Sequence, residues 1–132
     1  MRTIDEVQAA MLAYLQSKSA ITSLLDDSGQ IKEAQWQGTE FTYPAVRISV
    51  DLRPSMNGCS PDDADFAIDV FDEQKSSKTA SVLSGTIAKA LHKVPFSSNG
   101  IKFITVVVQR VAKPYRSIYA WQSTLTVLTQ VV

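Results

Sequence analysis

The chain has 132 residues, is 45% hydrophobic and 20% charged, and carries 13 basic and 13 acidic side chains. That composition excludes wholesale disorder, and a net charge of zero excludes a general cationic grip on nucleic acid. The zero hides a division: Met1 to Glu73 holds 13 acidic residues against 5 basic ones, net −8, whereas Gln74 to Val132 holds 8 basic residues and no acidic one, net +8.

The length predicts one domain, residues 1–132, with enough chain for a real core. The longest mostly apolar run, Phe103 to Val108, is far too short to span a membrane. Arg2 followed by Asp5 and Glu6 does not make a secretory leader. Cys59 is the one cysteine, which rules out an intrachain disulfide framework and fits a reducing compartment.

Thr3 and Glu6 have capping-box spacing, and Ile4, Val7, Met11, Tyr14 and Leu15 form one helical stripe that ends near Gln16 or Ser17. Ser19 is placed to cap a second short helix with Ile21, Leu24 and Leu25, closed by Asp27-Ser28-Gly29. Ile31 to Trp36 is compatible with a short strand, and Gln37-Gly38-Thr39 with a turn. Tyr43-Pro44 opens a strand with Val46, Ile48, Val50 and Leu52 on one face and Arg47, Ser49 and Asp51 on the other. A loop over 53–63 contains Asn57-Gly58, a pair that favours a tight hairpin turn. The returning strand alternates Phe66, Ile68 and Val70 against Asp65, Ala67 and Asp69.

Ser76 or Ser77 can cap the next helix, whose stripe is Ala80, Leu83, Ile87, Ala90, Leu91 and Val94, with Pro95 as its stop. Gly85 inside it suggests close approach of another backbone. Asn99-Gly100 turns the chain into Ile101 to Val111, apolar on both faces and so expected inside the sheet. Lys113-Pro114-Tyr115-Arg116 reads as a turn. The last strand sets Tyr119, Trp121, Leu125, Val127 and Val131 against Gln122, Thr124, Thr126 and Gln130. The order α-α-β-β-β-α-β-β predicts an α+β fold: an antiparallel or mixed sheet of four to five strands with helices packed on one face.

Chemistry-bearing motifs are sparse. The five glycines stand singly, so no phosphate-cradling loop is present, and no Cys or His spacing suits a zinc site. Cys59 and His92 are the one possible nucleophile–base pair, and their bland reading is a loop thiol and a histidine complementing a helix C-terminus. Asp62, Asp63, Asp65, Asp69, Asp72 and Glu73 form the best candidate for a hard cation, against a solvated sheet face or a subunit contact. Lys102, Arg110, Lys113 and Arg116, with Tyr115 among them, could meet phosphates or protect an exposed strand edge.

Three segments carry a resemblance. Tyr43-Pro44-Ala45-Val46-Arg47-Ile48-Ser49-Val50 resembles the YP-then-strand segment of the tail-terminator (tail-completion) proteins of tailed bacteriophages. Phe66-Ala67-Ile68-Asp69-Val70-Phe71-Asp72, running into a serine-capped helix that ends Ile87-Ala88-Lys89-Ala90-Leu91, resembles their next strand and long helix, with Phe71 where Trp or Tyr is commoner. Ile118-Tyr119-Ala120-Trp121 after Tyr115-Arg116 resembles their final strand, and the opening helix with Ile21 to Leu25 also fits. The likeness runs from about Val7 to Val127, leaving 31–42 unmatched.

The resemblance implies a virion subunit without enzymatic activity, cofactor, metal or membrane contact, assembled in the host cytoplasm. Such subunits form a homo-oligomeric, hexameric ring at the head-proximal end of the tail. The ring stops tail-tube polymerisation and joins the tail-tube protein to head-completion (connector) proteins, and the genome DNA passes through its lumen without sequence-specific contact. The alternatives are another head–tail connector or stopper of the neck, or a small α+β domain contacting nucleic acid through its basic half. Head-to-tail rings use two different surfaces per subunit, and the charge division can supply them. The expected interface residues are Arg53, Met56, Asn57, Asp62, Asp63, Asp65 and Asp69 on the first hairpin, and Arg110, Lys113, Tyr115 and Arg116 near the last turn.

Overall fold

Apolar side chains on alternate residues of successive strands give a sheet one dry face, and amphipathic helices close that face. The computed structural model describes residues 3–25, 31–33, 44–54, 61–73, 77–116 and 120–132. In chain order its elements are α1 (Ile4–Gln16), α2 (Ser19–Thr22), β1 (Ile31–Glu33), β2 (Ala45–Arg53), β3 (Asp62–Asp72), α3 (Lys78–Leu91), β4 (Phe96–Ser98), β5 (Ile101–Val111), β6 (Tyr115–Arg116) and β7 (Trp121–Val131). The architecture is α+β, as the element order implies.

The sheet has seven strands, not four to five, in the order β1-β2-β3-β7-β5-β4 with β6 also on β7. It is mixed: β1 runs parallel to β2 and every other pair is antiparallel. The extra strands are short and come from segments with turn composition. Asn99 (φ 50°) and Gly100 (φ 77°) both take left-handed backbone, which suits the turn that pairs β4 with β5. Pro114 interrupts the strand path after Val111, and Tyr115–Arg116 then resumes pairing with β7 as β6. Ser123 Oγ donates to Ala112 O (2.8 Å) at that break.

The core joins Val7, Met11, Tyr14 and Leu15 of α1 and Leu83, Ile87 and Leu91 of α3 to Val46, Ile48, Phe66, Ile68, Val70, Leu125 and Val127 of the sheet. An aromatic ladder ties its layers together. Tyr14 stacks on Phe96 (3.6 Å between centroids), Phe96 on Phe103 (4.3 Å), and Phe103 tilts against Phe66 (6.3 Å). Tyr14 Oη donates to Ala90 O (2.9 Å), linking α1 to α3, and Ser98 Oγ donates to Ala10 O (2.7 Å), linking β4 to α1.

Local expectations fare unevenly. The Thr3 cap forms, with its Oγ1 accepting from Glu6 N (3.2 Å). Ser19 is instead the first residue of α2, whose cap Lys18 gives no side-chain bond. Ser77 caps α3 without a side-chain bond. The helix stops at Leu91, four residues before Pro95, because Lys93 takes a left-handed φ of 58° and donates its N–H to Val106 O (2.8 Å). Val94 lies past the helix and is exposed. The strand at residue 31 ends at Glu33; the calls on 34–43, Asp27-Ser28-Gly29, Asn57-Gly58, Ser76 and Tyr119 lie outside the described residues.

Gly85 has no backbone approaching it: a Cβ built there meets nothing within 4 Å. Its cost is therefore uncompensated. Gly85→Ala is expected to stabilise the fold by about 1 kcal/mol, the helix-interior difference between these residues. A urea midpoint that falls in the variant would show that the glycine has a packing role after all.

The strand Ile101 to Val111 lies inside the sheet only at its start. Its inner side pairs with β7, but on its outer side β4 reaches only Ile101 to Phe103. Apolar side chains along it are accordingly open, with Ile104 43%, Val107 36% and Val111 44% exposed. Bulges between Phe103 and Thr105 and between Val108 and Arg110 break the strict alternation. The end of α3 covers part of this edge: Lys93 N bonds Val106 O, and His92 Nδ1 accepts from Val108 N (3.1 Å).

Candidate subunit interface

With the helices on one face, the residues at the opposite register positions form a second face, open except at the Ala45 and Arg47 end of β2, where both residues are buried. Cross-strand register arranges them in rows from β2 through β3 and β7 to β5. The rows read Arg53–Asp63–Gln130–Thr105, Asp51–Asp65–Leu128–Val107 and Ser49–Ala67–Thr126–Arg110. Next come Arg47–Asp69–Thr124 and Ala45–Phe71–Gln122–Tyr115.

Charge is therefore sorted by strand. β2 and β3 carry the acidic side chains, β5 and β6 carry Lys102, Arg110 and Arg116, and β7 between them carries no charged residue. Asp51 and Asp65 are directly opposed, a repulsive arrangement. Arg53 passes over its own partner Asp63 and reaches Asp65 (3.2 Å), leaving three carboxylates with one guanidinium at that corner. Asp69 is occupied differently, accepting from Thr124 Oγ1 (2.6 Å). Arg47 beside it is buried, and its guanidinium donates to Val46 O (3.0 Å). Burial lowers the Arg47 pKa while Glu33 raises it; a guanidinium starts so high that it stays cationic.

The expected interface residues fall into two groups on this face and its rims. Arg53, Asp63, Asp65 and Asp69 share the acidic side, and Asp62 lies at the start of β3. Arg110, Lys113, Tyr115 and Arg116, all exposed, share the basic side. Met56, Asn57 and Cys59 lie outside the described residues. The proposed Cys59–His92 pair gains no support from His92, whose Nδ1 lone pair is taken by a backbone N–H.

The acidic run does not converge. Asp63, Asp65 and Asp69 are spaced along one face of β3, whereas Asp72 is buried on the core side at the far end. Ten residue steps along the strand separate Asp62 from Asp72, about 33 Å. Among the described residues no three His, Cys, Asp or Glu side chains gather closely enough to hold a metal. No described helix is long and apolar enough to cross a membrane.

Reading the chain alone passed over Asp51, Val107 and Leu128. Asp51 was visible as a polar position but not as the partner of Asp65, which depends on hairpin register. Leu128 was placed on neither face, and Val107 looked like core, because an apolar residue in an apolar run gives no sign of which face is left open.

No family model and no curated protein matches the sequence. Solved structures do match in fold. A chain in the structure described as the virion of a native gene transfer agent (GTA) particle superposes with a TM-score of 0.79 at 16% identity, covering 99% of this chain and 98% of that one. A second solved structure gives a TM-score of 0.62 at 14% identity, with 100% and 97% covered. At these identities the likeness establishes a shared fold, end to end, with both.

Proposed function

We propose that this chain is a structural subunit of a phage-like virion, a tail terminator that works by assembly and not by catalysis. In this reading, copies form a hexameric ring at the head-proximal end of the tail, stop growth of the tail tube and join it to the head-completion proteins. The observation that carries it is the end-to-end likeness in fold to a chain of a gene transfer agent virion, at nearly full coverage of both chains. The sequence likeness to tail terminators, from Tyr43-Pro44 through the second strand to the long helix, supplies the finer identification. Two differently charged sides on one subunit are what a ring needs, since ring contacts join unlike surfaces.

Native mass spectrometry and negative-stain imaging test the proposal, on the purified chain alone and with assembled tail tubes. The expected result is a closed ring, free or seated on one tube end. A chain that stays monomeric alone and also fails to bind tube ends would sink the reading.

A further inference from the structure

We infer that the β5–β6 rim is the seat for a second copy of this chain, which presents the acidic side of its β2–β3 hairpin. This deepens the ring reading by naming the joint, and it rests on that reading. The seat combines two features. Val107 is exposed and apolar beside a strand edge whose residues 109–111 have no backbone partner on the outer side among the described residues. Arg110 and Lys113 flank it, exposed, with no ion pair or hydrogen bond to any described residue. Apolar surface mixed with unpaired cations suits a protein partner better than a phosphate backbone, which rewards charge alone.

Charge complementarity selects the occupant. No acidic side chain occurs from Gln74 onward, and among the described residues no ion pair reaches Arg110 or Lys113. Among the described residues the one ion pair of Asp51, Asp63 and Asp65 is that of Asp65 with Arg53. Among the described residues of one subunit no ion pair joins the two sides. The nearest of these carboxylates by register, Asp65, is separated from Arg110 by the uncharged β7 and two residues of strand, roughly 12 Å by sheet spacing. Screening in physiological salt acts over about 8 Å. Juxtaposing the acidic side of one copy with the rim of the next removes both surpluses. It is also a head-to-tail contact that leaves each subunit one side of each kind, so it repeats around a ring.

A charge-swap experiment on the full chain tests the joint. One variant carries Asp51→Lys and Asp63→Lys, the other Arg110→Glu and Lys113→Glu; these sites are exposed or half-exposed, and circular dichroism with a thermal melt verifies that each variant folds. Each alone is expected to need at least a tenfold higher concentration to assemble, equivalent to about 1.4 kcal/mol per contact. An equimolar mixture is expected to recover wild-type assembly in sedimentation velocity, because reversed sides then meet reversed sides in alternation. Wild-type rings that neither variant weakens overturn the joint and leave the ring reading intact. So does a mixture that fails to recover. A wild-type chain monomeric to its solubility limit also overturns the joint, and the ring reading is then decided by tube-end binding. If rings persist while Arg110→Glu/Lys113→Glu abolishes retention of DNA on a filter at low salt, the rim is a nucleic-acid surface and the joint is wrong.

Discussion

Phe103→Ala is expected to destabilise the protein by about 3–5 kcal/mol, the range for deleting a fully buried aromatic ring. Phe103 is 1% exposed and stands at the crossing of the aromatic ladder, stacked on Phe96 and tilted against Phe66. Truncating it opens a void between β4, β5 and β3 and removes two aromatic contacts at once. Total stabilities of domains this size are about 5–15 kcal/mol, so the loss takes a large share. It should appear as a fall in melting temperature on the order of 10 °C or more. Val107→Ala, on the same strand but open to solvent, is the control and should shift stability by less than about 1 kcal/mol. Equal losses for the two would mean that the face assigned to solvent is packed.

The second large effect comes from two neighbouring residues on β7. Leu125 is fully buried in the helix-covered core, whereas Thr126 is half-buried on the uncovered face, one residue along. Leu125→Asp puts an unpaired carboxylate into apolar surroundings, a change worth several kcal/mol after relaxation. It is expected to leave no cooperative unfolding transition. Thr126→Asp keeps its charge in water and loses only strand propensity, about 1 kcal/mol. Far-ultraviolet circular dichroism through a urea titration separates the two outcomes. A folded Leu125→Asp variant would contradict the side on which the helices are placed.

Both expectations depend on which face each residue takes, and that was legible wherever one face alternates cleanly. Val46, Ile48 and Val50 against Phe66, Ile68 and Val70 gave the hairpin its dry side, and the structure pairs them residue for residue. A slip of one residue would set Val50 against Asp65, dry against wet, so the buried face dictates the pairing.

Where both faces are apolar this logic has nothing to hold. β5 looked central because Val106, Val107 and Val108 are indistinguishable by hydropathy. Its position at the rim follows from β7 inserting between β3 and β5, a long-range choice that periodicity does not encode. Short strands escaped for a related reason: β4 and β6 are three and two residues long, shorter than any periodic signal, and are held by pairing with longer neighbours. The acidic and basic residues of the candidate interface were legible as a list. Their separation by a neutral strand was not, because it requires the strand order.

The end of α3 has a consequence for the history of the molecule before it meets any partner. Edge strands with free amides and carbonyls pair indiscriminately and seed aggregation. Here Lys93 N and His92 Nδ1 occupy Val106 O and Val108 N, so the middle of β5 is closed to strangers while residues 109–111 stay open. The same helix that completes the core thus acts as a chaperone in cis for the sheet. Loosening α3 and licensing promiscuous strand exchange become a single event, and the chain is safe to accumulate only as long as that helix is docked.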